Sequence, residues 1–300
     1  KVSEAEAFVR AGITDVLISN EIRNPLMIDR LARLCAGGAK ISVCVDDLEA
    51  VSQLEEAAAR HETKITCLVE FETGGRRCGV TTLTGLLELA RAVIAADHLT
   101  FGGIQAYHGM MQHIVDYDDR RAAAVKSIQH ANAAVEMLMV NGIKCATVTG
   151  GGTGSYAFEA GSRLYTELQC GSYAFMDVDY ARIEDENGRR CQDFEQALFL
   201  LTSVMSTSRA GRAVCDAGLK VQSVDSGLPE VCDRDDVVYV SASDEHGTLT
   251  DPYGHLVVGD RLRLIPGHCD PTCNLHDWYV GMRHGKVETI WPVTARGKAF

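Results

Sequence analysis

The chain has 300 residues, of which 46% are hydrophobic and 23% charged. These are the proportions of an ordinary globular protein, long enough for one large α/β domain or a large domain with a small one. No run of 18 uncharged apolar residues occurs, which excludes a helical membrane span. A formal charge of −12, from 29 Lys and Arg against 41 Asp and Glu, argues against general nucleic-acid binding. Eleven cysteines are spread from Cys35 to Cys273 without a C-x-x-C pair. They read as reduced thiols of a cytoplasmic enzyme.

The first half alternates short apolar runs with helical periodicity. Asp15–Ser19 reads as a buried strand, and a helix around 25–34 follows, with Met27, Ile28, Leu31 and Leu34 at helical spacing. Strands are expected at 41–45, 65–71, 99–107, 145–149 and 168–175, and helices at 47–60, 82–96 and 118–141. Six strands in roughly 175 residues, at roughly 30 residues per βα unit, suit most of a (β/α)₈ barrel. A doubly wound open sheet is the alternative. The pattern changes near residue 195. Strands are expected at 197–205, 213–219, 237–241, 256–265, 278–283 and 286–292, with no helix among them. His284-Gly285 marks a hairpin between the last two. The sequence therefore divides into an α/β domain over 1–190 and an all-β domain over 191–300.

Thr149–Ser155 carries four glycines in five positions and directly follows a strand. Such a loop lets backbone N–H groups crowd an anion, with Thr and Ser adding hydroxyls, so it is a candidate phosphate cradle. It lacks the Lys of a Walker loop. The bland alternative is a flexible turn. Gly171-Ser172, at the end of the next expected strand, would add donors beside the loop, as in phosphate sites built from the last two βα loops of a barrel. Arg77, after the strand ending near Phe71, suits a ligand oxygen as well as a surface position. Gln105, Tyr107 and His108 end another strand. Tyr107 suits a planar cofactor, or a core position with its hydroxyl satisfied. In Pro266–Trp278, His268 and Asp270 stand two apart. An extended segment would point both to one face as a divalent-metal pair; the alternative is a capped turn. Cys269, Cys273, His276 and Asp277 are further ligand types, but their spacing matches no zinc finger.

Together these pieces resemble a known family. The Gly-rich loop at 150–156, the stretch 168–177, the segment 222–229 and above all the run from Pro266 to Val293 are similar to fold-type III pyridoxal-phosphate enzymes of the D-threonine aldolase and D-serine dehydratase group. The resemblance covers essentially the whole chain. It implies an alanine racemase-like fold, a partial TIM barrel followed by the β domain. It implies pyridoxal 5'-phosphate, with Thr153, Gly171 and Ser172 at its phosphate, Arg77 and Tyr107 flanking its ring or substituents, and Gln105, Gly152 and Tyr173 as further cofactor-binding residues. It implies Mg²⁺ or Mn²⁺ on His268 and Asp270. The dehydratase branch carries Cys at the position of Asp270, so an oxygen ligand there favours the aldolase branch and a harder ion. The implied reaction is retro-aldol cleavage of a 3-hydroxy-D-amino acid such as 3-hydroxyaspartate; D-threonine cleavage and dehydration are the runners-up. A homodimer is implied as well. None of the eight lysines sits in the family's Schiff-base motif, so the resemblance implies that this Lys and two barrel strands precede the sequence, and that the chain alone is inactive. A metal-dependent hydrolase on a barrel is a rival reading, but it needs His pairs at strand ends, and only His108 and His113 lie near one.

Overall fold

The computed structural model describes residues 1–300. The chain forms two compact units, one of residues 1–170 with 297–300 and one of residues 171–296.

The first unit opens with helix α1 (Val2–Arg10), followed by β1 (Asp15–Glu21), α2 (Pro25–Ala36), β2 (Lys40–Val45), α3 (Leu48–Arg60), β3 (Ile65–Glu70), α4 (Leu83–Ala95), β4 (Leu99–Gln105), α5 (Tyr117–Val140), β5 (Thr147–Gly150), α6 (Tyr156–Ser162) and β6 (Glu167–Leu168). All six strands are parallel and lie in chain order, β1-β2-β3-β4-β5-β6. A doubly wound sheet reverses its strand order at a switch point, and this one does not, so the barrel topology holds. The helix starts follow from local chemistry. Asn24 accepts from the amide of Leu26 with Pro25 in the first turn, Asp47 accepts from that of Ala50, and Asp116 from that of Asp119. Helices α2, α3 and α4 then turn Ile28, Leu31, Leu54, Ala57, Leu86 and Val93 onto one core with Val43, Val45, Ile65 and Val69 of the sheet. Strands β2 and β3 are buried along most of their length and read as apolar runs for that reason. Two elements were not expected from the sequence, α1 and the short α6. The expected strand at 168–175 is shorter. It ends at Leu168, and Ser172–Ala174 forms a 3-10 turn.

The second unit starts with that turn and a short helix α7 (Val178–Ala181). It continues through β7 (Leu200–Arg209), β8 (Gly211–Cys215), β9 (Glu230–Val231), β10 (Val238–Ala242), β11 (Gly247–Asp251), β12 (Arg261–Ile265), a five-residue helix α8 (Cys269–Cys273), β13 (Trp278–Arg283) and β14 (Lys286–Pro292). Residues 178 and 179 hydrogen-bond through their amides to the carbonyls of Pro266 and Gly267, so this segment pairs with the second unit. Six strands make an antiparallel sheet in the order β10-β11-β8-β7-β12-β9. Leu262 and Leu264 face its core while Arg261 and Arg263 face outward, the period-2 pattern of a half-buried strand. β13 and β14 form a separate hairpin. Both turn residues, His284 and Gly285, have positive φ, the conformation that two-residue hairpin turns favour. Helix α8 corrects the expectation of a helix-free C-terminal region.

Candidate active site

Strand register builds one row of polar side chains at the C-terminal edge of the parallel sheet. Glu70 of β3 lies opposite Gln105 of β4, Gln105 opposite Thr149 of β5, and Thr149 opposite Glu167 of β6. The Gln105 amide donates to Glu70 Oε2 at 2.6 Å, and the Gln169 amide donates to Gln105 Oε1 and Thr149 Oγ1, both at 3.0 Å. Thr149 in turn donates to Glu167 Oε1 at 2.7 Å. Gln105 and Thr149 are fully buried. Burial and the neighbouring Glu21 carboxyl push the Glu70 pKa up, against the opposing pull of Arg77 and Gln105. Glu21, Asp46 and Cys78 converge beside this row, their ligand-type atoms within 4.8 Å of one another. Burial, then Glu21, raises the Cys78 thiol to about 11.

The Gly-rich loop closes around a buried amide. Gln112, 1% exposed, lies in the 3-10 turn after β4. Its Oε1 accepts from the amide of Gly154 at 3.0 Å, and its Nε2 donates to Ser155 Oγ at 2.7 Å. A Cβ on Gly152 would stand 2.6 Å from Gln112 Oε1, and one on Gly154 2.5 Å from the Gln112 carbonyl oxygen. The glycines at 152 and 154 are therefore fixed by packing against Gln112. Ser155 passes the chain of bonds on to Glu159 Oε1 at 2.9 Å. Glu159 is 1% exposed and its Oε2 has no partner. Burial raises its pKa to about 7. Thr153 is buried in the same loop.

Arg77 and Tyr107 come together at the ends of β3 and β4, the guanidinium carbon 5.7 Å from the ring centroid. Arg77 is exposed and Tyr107 half-buried. Burial raises the Tyr107 hydroxyl pKa, and Arg77 opposes the shift. His108 is held between chain segments, its Nδ1 3.2 Å from the amide of Met111. Burial lowers its pKa.

Gly171, Ser172 and Tyr173 open the second unit. Gly171 is exposed, and Tyr173 packs edge-on to Phe194 with ring centroids 5.4 Å apart. His268 caps α8 with extended backbone, and Asp270 is exposed in the first helical turn. The extended geometry expected for the pair is thus replaced by a cap and a helix. Cys269 between them is buried, and its amide donates to Asp177 Oδ2 at 2.7 Å. Burial and Asp177 raise its thiol to about 12. A Cβ on Gly267 would collide with the backbone of Gly227, which brings the 225–228 loop against His268. Asp225 Oδ2 lies 2.8 Å and Ser226 Oγ 3.3 Å from His268 Nδ1. All eleven cysteines are free.

Residues 1–179 match the family described as "Alanine racemase, N-terminal domain", and residues 197–282 the "Putative serine dehydratase domain". The chain belongs to the fold-type III pyridoxal-phosphate enzyme family. It is 57% identical over its whole length to a 3-hydroxy-D-aspartate aldolase of Paracoccus denitrificans, covering 78% of that protein. It is 43% identical to a D-threonine aldolase of Arthrobacter sp, over 99% of this chain and 78% of the relative. The crystal structure of D-threonine aldolase from Filomicrobium marinum superposes with a TM-score of 0.96 at 45% identity, over 100% of this chain and 81% of that one. The six-stranded parallel sheet and the antiparallel C-terminal domain are those of this family.

The site suits the cofactor that the family implies. Three buried polar atoms stand without partners towards the C-terminal edge of the sheet: Glu21 Oε1 at the end of β1, Thr73 Oγ1 after β3 and Glu159 Oε2 after β5. Native cores leave few such atoms. A guanidinium beside an aromatic ring adds an anion partner and a stacking surface. Glu70, Gln112 and Asp225 escaped the sequence reading because their partners lie in other elements, and Glu159 because its burial is set by tertiary packing. The Asp225-Ser226-Gly227 turn signature was the one local signal among them.

Proposed function

We propose that the protein catalyses retro-aldol cleavage of 3-hydroxy-D-aspartate to glycine and glyoxylate, using pyridoxal 5'-phosphate and Mg²⁺ or Mn²⁺. The observation that carries this reading is 57% identity, over the full length of the chain, to a protein named for that activity. Arg77 and Tyr107 would hold the cofactor at the edge of the sheet, with Gly152 and Thr153 in the adjacent loop. Bound pyridoxal phosphate supplies an electron sink for the pair released from the Cα–Cβ bond. His268 and Asp270 would hold the divalent ion, which supplies Lewis acidity to the substrate's β-hydroxyl. An imidazole and a carboxylate suit Mg²⁺ or Mn²⁺, whereas the buried Cys269 thiol does not enter the set. Tyr107 and Arg77 orient the substrate and cofactor. The polar row from Glu70 to Glu167 keeps Gln105 and Thr149 in one rotamer behind them.

The imine-forming Lys is, in this proposal, outside these 300 residues. Lys40 and Lys64 lie at the N-terminal ends of β2 and β3, Lys126 on α5, and Lys144 ahead of β5. None of these four stands at the C-terminal edge of the sheet. Two further elements belong to the same reading. Eleven free thiols suit a reducing, cytoplasmic setting. A homodimer is supported by the β13–β14 hairpin, where Trp278, Val280, Met282, Val287, Ile290 and Trp291 are all more than half exposed. No helix is long and apolar enough to cross a membrane. The test is glyoxylate release from 3-hydroxy-D-aspartate by the complete gene product, before and after metal removal with EDTA, and in Asp270→Ala. Release that survives both treatments would overturn the role of the metal.

A further inference from the structure

We propose that Asp225 is the positioning residue of the metal centre: it fixes the tautomer and ring orientation of His268, so that Nε2 is the ligand atom. The inference rests on the reading of His268 and Asp270 as metal ligands and goes beyond it. An ionised carboxylate only accepts hydrogen bonds. The ring nitrogen that faces Asp225 Oδ2 at 2.8 Å is Nδ1, so Nδ1 carries the proton and Nε2 keeps its lone pair. Free of such a partner, an imidazole divides its proton between the two nitrogens, and only one form can ligate through Nε2.

Asp225 is itself held in place. Ser223 donates to its Oδ1 at 2.6 Å, and the Ser223 amide donates to Thr272 Oγ1 of α8 at 3.1 Å. Ser226 Oγ lies 3.4 Å from Asp225 Oδ2 and 3.3 Å from His268 Nδ1. The loop that carries Asp225 is therefore tied both to the His268 ring and to the helix that carries Asp270. Gly267 is the residue that allows this approach, since any Cβ there would strike the Gly227 backbone. A carboxylate–histidine–metal relay of this kind raises the basicity of the ligating nitrogen and removes the cost of orienting the ring on binding. Partners in such relays change metal affinity by about 10–100-fold when removed.

The experiment uses the complete gene product, selectively labelled with ¹⁵N-histidine. Mn²⁺ affinity is read by electron paramagnetic resonance of the free ion. The His268 tautomer is read from the imidazole nitrogen shifts, assigned by the signal lost in His268→Ala. In the wild type we expect the Nδ1–H form. In Asp225→Ala we expect the Nε2–H form to appear and Mn²⁺ to bind about 10–100-fold more weakly. Asp225→Asn keeps an acceptor for Nδ1–H without the charge. It should retain the tautomer and lose less affinity than the alanine variant, which a merely structural role for Asp225 would not produce. Circular dichroism confirms that each variant is folded; should Asp225→Ala not fold, the wild-type tautomer carries the test, and an Nε2–H form of His268 in the wild type would overturn the proposal. His268→Ala separates the two levels. If it binds Mn²⁺ as wild type does, or wild type binds none, the metal reading fails and takes this inference with it. If His268→Ala abolishes binding while Asp225→Ala leaves affinity within twofold and the tautomer unchanged, the metal reading stands and the role of Asp225 is refuted.

Discussion

Replacing Glu159 by Gln tests the buried network beneath the Gly-rich loop. The carboxyl is 1% exposed, with Ser155 on Oε1 and nothing on Oε2. Its pKa rises from 4.5 to about 7, with burial as the main cause and the Ser155 bond opposing it. Between those values the folded state binds more protons than the unfolded state, so stability falls as pH rises. The loss is complete above the folded pKa. A shift of about 2.5 units at about 1.4 kcal/mol each gives about 3 kcal/mol between pH 4.5 and pH 8. Gln has nearly the same shape, keeps an acceptor for Ser155 and cannot titrate. The stability of Glu159→Gln relative to wild type should therefore climb by about 3 kcal/mol from pH 4.5 to pH 8, on top of a constant cost for the new buried N–H₂. Urea unfolding across that range gives the difference, and contributions common to both proteins cancel. Both tryptophans, Trp278 and Trp291, lie on the C-terminal hairpin, so the first unit is followed by circular dichroism at 222 nm, where its longer helices dominate. Parallel stability curves for the two proteins would refute the reasoning.

Three further outcomes follow from single contacts. Gly154→Ala places a Cβ 2.5 Å from a backbone oxygen that cannot swing away, and should cost about 1–3 kcal/mol in urea unfolding. Asp177→Ala removes the acceptor for the Tyr180 amide that caps α7 and for the buried amide of Cys269. The combined loss should be about 2–4 kcal/mol, visible by tryptophan fluorescence because both tryptophans lie in the same unit. Arg77→Ala should weaken pyridoxal phosphate binding by about 10–100-fold in an absorbance titration, the worth of one charge-assisted hydrogen bond. Arg77→Lys, which lacks the planar fork, should recover only part of it.

Features set by neighbours in sequence were legible before the structure. The hairpin at 278–292 is announced by His284-Gly285, and the helix at 25–36 by Met27, Ile28, Leu31 and Leu34 at helical spacing. Strands β2 and β3 showed themselves as apolar runs because both faces are covered. What the sequence hid was set by tertiary contact. Gln105 was recognised as a residue at a strand end, but its partner Glu70 is 35 positions away and is aligned with it only by parallel register. Asp225 meets His268 across 43 positions through a close approach that Gly267 permits. Gly171-Ser172 was read as the end of a strand, yet it begins a 3-10 turn that ends the ladder at Leu168. His268 and Asp270 were placed on an extended segment; the bond from the Cys269 amide to Asp177 is one tertiary contact that the local sequence did not announce.

The most direct test of the central claim is the product formed from 3-hydroxy-D-aspartate by the complete gene product with pyridoxal phosphate and Mn²⁺. Cleavage of Cα–Cβ predicts glyoxylate and glycine in equal amounts. Oxaloacetate with ammonia would mean that the β-hydroxyl is expelled instead, and the reading of Asp270 as the mark of an aldolase would be contradicted.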